Sequence, residues 1–157
     1  MRIFAIEHER DTSRMAAALV PLLRGGSMIG MSGDLGAGKT TFVRYLVAAA
    51  GGDTRAVSSP TYTLQHEYLL PNGVVIEHWD LYRLTTLPMD LEERTPSTVV
   101  RIIEWPEKCP DIIPQLSCHL SLVRRDQENV EEDRVLEVRG VDEELVISLL
   151  DGILRTP

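Results

Sequence analysis

The chain has 157 residues, 43% of them hydrophobic, and a mean hydropathy close to zero, which is enough to enclose a core in a single soluble domain spanning residues 1–157. Its formal net charge is −8 and it carries no run of Lys and Arg: Arg124-Arg125 is followed directly by Asp126, Glu128, Glu131, Glu132 and Asp133, so a protein built mainly to grip a polynucleotide backbone is disfavoured. Met1 to Arg14 is charged throughout, and the richest apolar run, Ala16 to Leu23, is short and contains Pro21, so neither a signal peptide nor a membrane span is expected and the chain reads as cytoplasmic.

In chain order, Arg2 to Glu7 alternates enough to be a strand. Asp11 or Thr12 can cap a helix with Met15, Leu19, Leu22 and Leu23 on one face, closed by Gly25-Gly26 and kinked or shortened at Pro21. Ser27 to Ser32 reads as a short buried strand. After it, Phe42, Tyr45, Leu46 and Ala49 recur at helical spacing until Gly51-Gly52. Tyr62, Leu64, His66, Tyr68 and Leu70 alternate with polar residues, Pro71-Asn72-Gly73 offers a turn, and Val74 to Trp79 returns as a strand, which together predict an antiparallel hairpin. A short helix within Leu87 to Glu93, a β-branched strand over Val99 to Trp105 and a helical turn from Pro106 to Cys109 follow. Cys118 to Val123 and Arg134 to Val138 read as late strands, and Leu145, Leu149, Leu150 and Ile153 mark a C-terminal helix. Cys109 and Cys118 have neither disulfide-scaffold nor metal spacing and are expected as reduced packing or surface thiols. The fold class expected is α/β, a sandwich in which helices flank a mixed parallel and antiparallel central sheet.

Gly33-Asp34-Leu35-Gly36-Ala37-Gly38-Lys39-Thr40 between the second strand and its helix fills every position of a phosphate-binding loop. The glycines let backbone N–H groups turn onto phosphate oxygens, Lys39 brings a mobile charge, and the Thr40 hydroxyl can bind Mg²⁺. The helix beginning at the loop points its positive end at the same phosphates. The chain is therefore expected to bind a nucleoside triphosphate.

Hydrolysis needs more: a carboxylate near the metal and a group to position water. Asp80 ends the strand Val74 to Trp79, and Glu104 ends Arg101-Ile102-Ile103, both where parallel sheets place functional side chains. The ordinary alternatives are an ion pair from Asp80 to Arg83 or a cap on the following turn, and an exposed strand-end charge at Glu104. Spacing alone does not choose between these. Ser58-Ser59-Pro60-Thr61 is placed to respond to a terminal phosphate, or is simply a polar turn.

Four motifs, taken together and in order, resemble those of the TsaE family, also called YjeE, small bacterial P-loop ATPases. They are the loop through Thr41, Ser59-Pro60-Thr61-Tyr62-Thr63-Leu64, His78-Trp79-Asp80-Leu81-Tyr82-Arg83-Leu84, and Glu104-Trp105-Pro106-Glu107. The likeness runs from about Thr12 to Arg134. It implies a P-loop NTPase-like fold and a role in forming N6-threonylcarbamoyladenosine at position 37 of tRNAs, with ATP and Mg²⁺ as cofactors. It also implies the TsaD–TsaB complex as partner; from the net negative charge, direct tRNA contact is expected to be weak or absent. Carried over by position, Gly33, Gly36, Ala37, Gly38, Lys39, Thr40 and Thr41 would hold the phosphates, with Thr40 and Glu104 on the metal side. Asp80 would serve hydrolysis alongside Lys39 and Glu104, Thr61 would belong to the nucleotide-responsive segment, and Trp105 and Arg134 would lie beside the nucleotide. The segment Leu84 to Ile103 is shorter than the family's and interrupted by Pro88 and Pro96, a departure that bears on docking if that segment touches the partner. The other reading that the loop permits is a small-molecule or nucleotide kinase with Asp80 as base, although no second basic cluster of lid type is evident.

Overall fold

In the computed structural model, which describes residues 2–125, 133–140 and 142–154, Met28, Ile29 and Met31 of β2 (Met28–Ser32) are all buried. Apolar side chains on both faces are what an interior parallel strand requires. β2 is paired in parallel with β5 (Val99–Glu104) on one side and with β6 (Cys118–Arg125) on the other. Beyond β5 lie β4 (Val75–Asp80), parallel to it, and β3 (Gln65–Leu69), antiparallel to β4. Beyond β6 lie β7 (Asp133–Arg139) and β1 (Arg2–Ile6), each antiparallel to its neighbour. The seven-stranded order is β1-β7-β6-β2-β5-β4-β3. The expected α/β sandwich with a mixed sheet is therefore the fold observed.

The larger core lies between this sheet and three helices: α1 (Glu9–Ala18), α2 (Lys39–Ala49) and α4 (Glu143–Leu154). Phe42, Val43, Leu46 and Val47 form the buried stripe of α2, and Met15 and Ala16 that of α1. A smaller core gathers Met28, Trp79, Leu81, Leu91, Ile103, Ile112 and Leu116, supplied partly by the short α3 (Met89–Glu92) and by a 3₁₀ segment, Pro110–Gln115. Both cysteines are buried. Among the described residues no helix is long and apolar enough to cross a membrane.

Two sequence expectations need correction. The first helix begins at Glu9, with His8 as its cap, rather than at Asp11 or Thr12. Asp11 instead reaches back, its carboxylate accepting from the His8 and Glu7 N–H groups at 2.9 and 3.2 Å, while Thr12 is buried. That helix closes at Leu19, and Pro21 sits in a separate 3₁₀ turn, Val20–Leu22, well before Gly25-Gly26. The other correction concerns the first arm of the hairpin, whose strand starts at Gln65. Leu64 has φ 72°, a left-handed conformation that breaks the alternation, and Tyr62 ahead of it is 84% exposed. Asp126, Glu128, Glu131 and Glu132 lie outside the described residues.

Candidate active site

The loop between β2 and α2 takes its shape from glycines that no other residue replaces freely. Gly33 has φ 141°, and a Cβ there would lie 2.4 Å from the Leu122 carbonyl oxygen of β6. Gly38, the N-cap of α2, has φ 103° and would bring a Cβ to 3.0 Å from an Arg134 guanidinium nitrogen. The loop thus packs its backbone directly against the β6–β7 ribbon. Arg124, the register partner of Arg134, donates to the Gly36 carbonyl at 2.6 Å. Like charges directly opposed across two strands destabilise a sheet unless an anion or acceptor separates them. Here both guanidiniums flank the glycine-rich loop between β2 and α2.

Lys39 opens α2 and is only 5% exposed. Its ammonium donates to the Gly33 and Asp34 carbonyls at 2.6 and 3.1 Å and lies 4.0 Å from the centre of the Trp105 ring. Burial pushes its pKa below the usual lysine value, opposed by the charges of Glu104, Asp80, Glu107 and Asp34. Trp105 reaches this position because its backbone is left-handed, φ 59°, at the turn leaving β5, and its ring also packs on Tyr82.

Asp80 and Glu104 are register partners at the C-terminal ends of adjacent parallel strands, so they emerge side by side on the face that carries α2. Glu104 is buried rather than an exposed strand end, and its Oε1 accepts from the Thr40 hydroxyl at 3.0 Å. Asp80 does not pair with Arg83, whose guanidinium lies 4.3 Å from the centre of the Tyr62 ring. One Asp80 oxygen accepts from the Tyr82 N–H at 2.8 Å, as a turn cap, and the other from the Thr61 hydroxyl at 2.6 Å. Ser59 joins the same chain of hydroxyls, 2.7 Å from Thr61. The polar turn expected at Ser58–Thr61 is therefore tied to the strand-end carboxylate.

One cavity of about 340 Å³ is lined by Leu35, Gly36, Gly38, Lys39, Thr40, Thr41, Ser59, Thr61, Asp80, Glu104, Trp105 and Arg134. Gly33 and Ala37 shape the loop from behind, Ala37 being buried with its N–H on the Asp34 carbonyl. A second hollow, lined by Ile6, Glu7, His8, Glu9 and Thr12, shares Thr41 and Arg134 with the first.

Sequence reasoning assigned no role to His78, Tyr68, Ser32, His119 or Arg124. His78 was legible in part. Strand alternation places it on the face of Asp80, two residues on, and so toward the site. Nothing in the spacing indicated that Tyr68 and Glu104 would take its two ring nitrogens, at 2.9 and 2.7 Å.

The family model for "Threonylcarbamoyl adenosine biosynthesis protein TsaE" matches residues 6–135. The protein from Aquifex aeolicus named "tRNA threonylcarbamoyladenosine biosynthesis protein TsaE" is 40% identical over 104 residues, 66% of this chain and 75% of that protein. Its Haemophilus influenzae namesake is 42% identical over 93 residues, 56% of this chain and 57% of the other. The Bacillus subtilis namesake is 35% identical over 108 residues, 67% of this chain and 66% of the other. The crystal structure of Bacillus subtilis YdiB superposes with a TM-score of 0.64 at 23% identity, covering 96% of this chain and 94% of that one, a likeness of fold. With the family model spanning both the glycine-rich loop and the two strand-end carboxylates, the chain belongs to the TsaE family of tRNA threonylcarbamoyladenosine biosynthesis proteins.

Proposed function

We propose that this chain is a Mg²⁺-dependent ATPase that binds the TsaD–TsaB complex and supports formation of N6-threonylcarbamoyladenosine at position 37 of tRNAs. The observation that carries this reading is the convergence of Asp80 and Glu104, neighbours in the β4–β5 register, on the cavity that already holds Lys39 and Thr40.

The triphosphate would lie along the loop, its oxygens taking the backbone N–H groups at the start of α2. Lys39 would exchange its bonds to the Gly33 and Asp34 carbonyls for β- and γ-phosphate oxygens. Thr40 and Glu104 form a donor set of the kind Mg²⁺ takes, a hydroxyl and one carboxylate completed by phosphate oxygens and water. Bound there, the ion would offset charge on the β- and γ-phosphates. Asp80 would orient the attacking water, and its bond to Thr61 would couple that carboxylate to the Ser59–Thr61 segment. Attack by water on the γ-phosphorus breaks its bond to the bridging oxygen and releases ADP and phosphate. The second hollow, joined to the first at Thr41 and Arg134, would take the nucleoside.

ATP binding and phosphate release by the wild-type chain, Lys39→Ala and Asp80→Ala, each with and without TsaD–TsaB, test the reading. Lys39→Ala should lose binding. Asp80→Ala should bind and lose release by about 10²-fold, the scale of removing one preorganised group from a reaction centre. Wild-type turnover should be slow alone and rise with TsaD–TsaB. Undiminished release by both variants rejects the site, and transfer of the phosphate to an acceptor hydroxyl instead of water would make the chain a kinase.

A further inference from the structure

His78 has none of its surface exposed, a costly place for an imidazole unless both ring nitrogens are partnered. Both are. The Tyr68 hydroxyl of β3 lies 2.9 Å from Nδ1, and Nε2 lies 2.7 Å from Glu104 Oε1 on β5. A carboxylate only accepts, so the ring proton that faces Glu104 is on Nε2, and Nδ1 accepts from the Tyr68 hydroxyl, whose phenol is pushed by burial up to about 12. Three adjacent strands thus supply a chain of bonds with one direction, Tyr68 to His78 to Glu104.

The end of that chain is what distinguishes it from an ordinary core histidine. The direct register partner of His78 is Ile102, and its ring reaches diagonally to the carboxylate two residues further along β5. The oxygen it meets, Oε1, is the same one that accepts from Thr40. Two donors on one oxygen, one from α2 and one from β4, select one orientation for a side chain that otherwise has several rotamers, and they leave Oε2 outside both bonds.

We propose that His78, oriented by Tyr68, is a positioning residue for Glu104, holding the carboxylate by Oε1 so that Oε2 is available to a divalent cation beside the bound phosphates. This rests on the reading of Thr40 and Glu104 as the metal-side pair. Partners of this kind, one bond removed from the metal, typically set its affinity by 10–100-fold.

The test is calorimetric titration of Mg²⁺ into the full chain loaded with a non-hydrolysable ATP analogue, together with the affinity for that analogue in metal-free buffer. His78→Leu should weaken Mg²⁺ binding by roughly 10–100-fold while metal-free nucleotide affinity stays at the wild-type level. His78→Gln, which keeps an N–H donor near the Nε2 position, should recover most of the loss. Tyr68→Phe should show a smaller loss in the same direction. Wild-type Mg²⁺ affinity in folded His78→Leu overturns the proposal, as do equal losses with and without metal, which would mark a purely structural role. If His78→Leu does not fold, Tyr68→Phe decides, and unchanged Mg²⁺ affinity there overturns the proposal. A wild-type chain that binds the analogue in neither buffer overturns the nucleotide-site reading itself, and this proposal with it.

Discussion

Ser32 has one hydroxyl proton and two partners, the Glu107 carboxylate at 2.6 Å and His119 Nε2 at 2.7 Å. An ionised carboxylate only accepts, so the proton goes to Glu107 and the serine oxygen accepts from His119 Nε2–H. Three residue types often associated with nucleophilic catalysis are therefore assembled with the opposite polarity, and they tie the end of β2 to the Trp105–Glu107 turn. Burial holds His119 below its ordinary 6.5, with Glu107 opposing and Arg139 adding to the shift. The unfolded chain therefore takes up this proton first as pH falls. The stability at stake is complete above 6.5 and is lost as pH drops through that value toward the folded one. Melting temperatures measured on either side of that value should show an acid-side decline that is shallower in His119→Gln; an equal decline in the variant would show that other groups are responsible.

At the scale of the element, the start of α1 illustrates how one carboxylate sets where a helix begins. A search for a cap finds Asp11 and Thr12, but a carboxylate three residues into a helix serves as well by accepting from the cap residue's own N–H. That is the role Asp11 takes with His8. Asp11→Ala should cost about 1 kcal/mol, the usual scale for losing a cap interaction, measured as a shifted urea midpoint with unchanged m. A neutral result would mean that packing of Met15 and Ala16 alone holds the helix start. Among the described residues, the two non-glycine residues with positive φ, Leu64 and Trp105, likewise shorten predicted strands, Leu64 by delaying the start of one and Trp105 by closing the other, and both adjoin the site. Each such conformation costs of order 1–3 kcal/mol, an outlay met only where surrounding contacts over-determine it. Around Trp105 these are Lys39 and Tyr82, and around Leu64 the bonds from its N–H to Pro60 and from the Asp80 N–H to its carbonyl.

Across the whole molecule, β5 divides two cores, with Ile102 facing the larger and Ile103 the smaller, both fully buried. Ile102→Ala should destabilise the protein by about 2–5 kcal/mol in equilibrium unfolding, through lost burial and the cavity left behind. A smaller loss would mean that the layer under α2 collapses to fill the gap. The shape of the Gly33–Thr40 loop was legible in the chain because its eight residues are contiguous and their chemistry is local: positive φ at the glycines, an ammonium one residue after the last of them, and a helix beginning at once. The strands, the hairpin and the late helix were legible for the same reason, since periodicity is a local property. Setting Asp80 and Glu104 side by side, with no ion pair to Arg83 and no exposed end at Glu104, was not local. Thr40 and Glu104 meet across 64 positions and His78 and Glu104 across 26, distances over which side-chain spacing carries no geometry. Only the parallel register of β4 on β5 made the two carboxylates neighbours, and only burial of the space between β3, β4 and β5 obliged His78 to find partners on both sides.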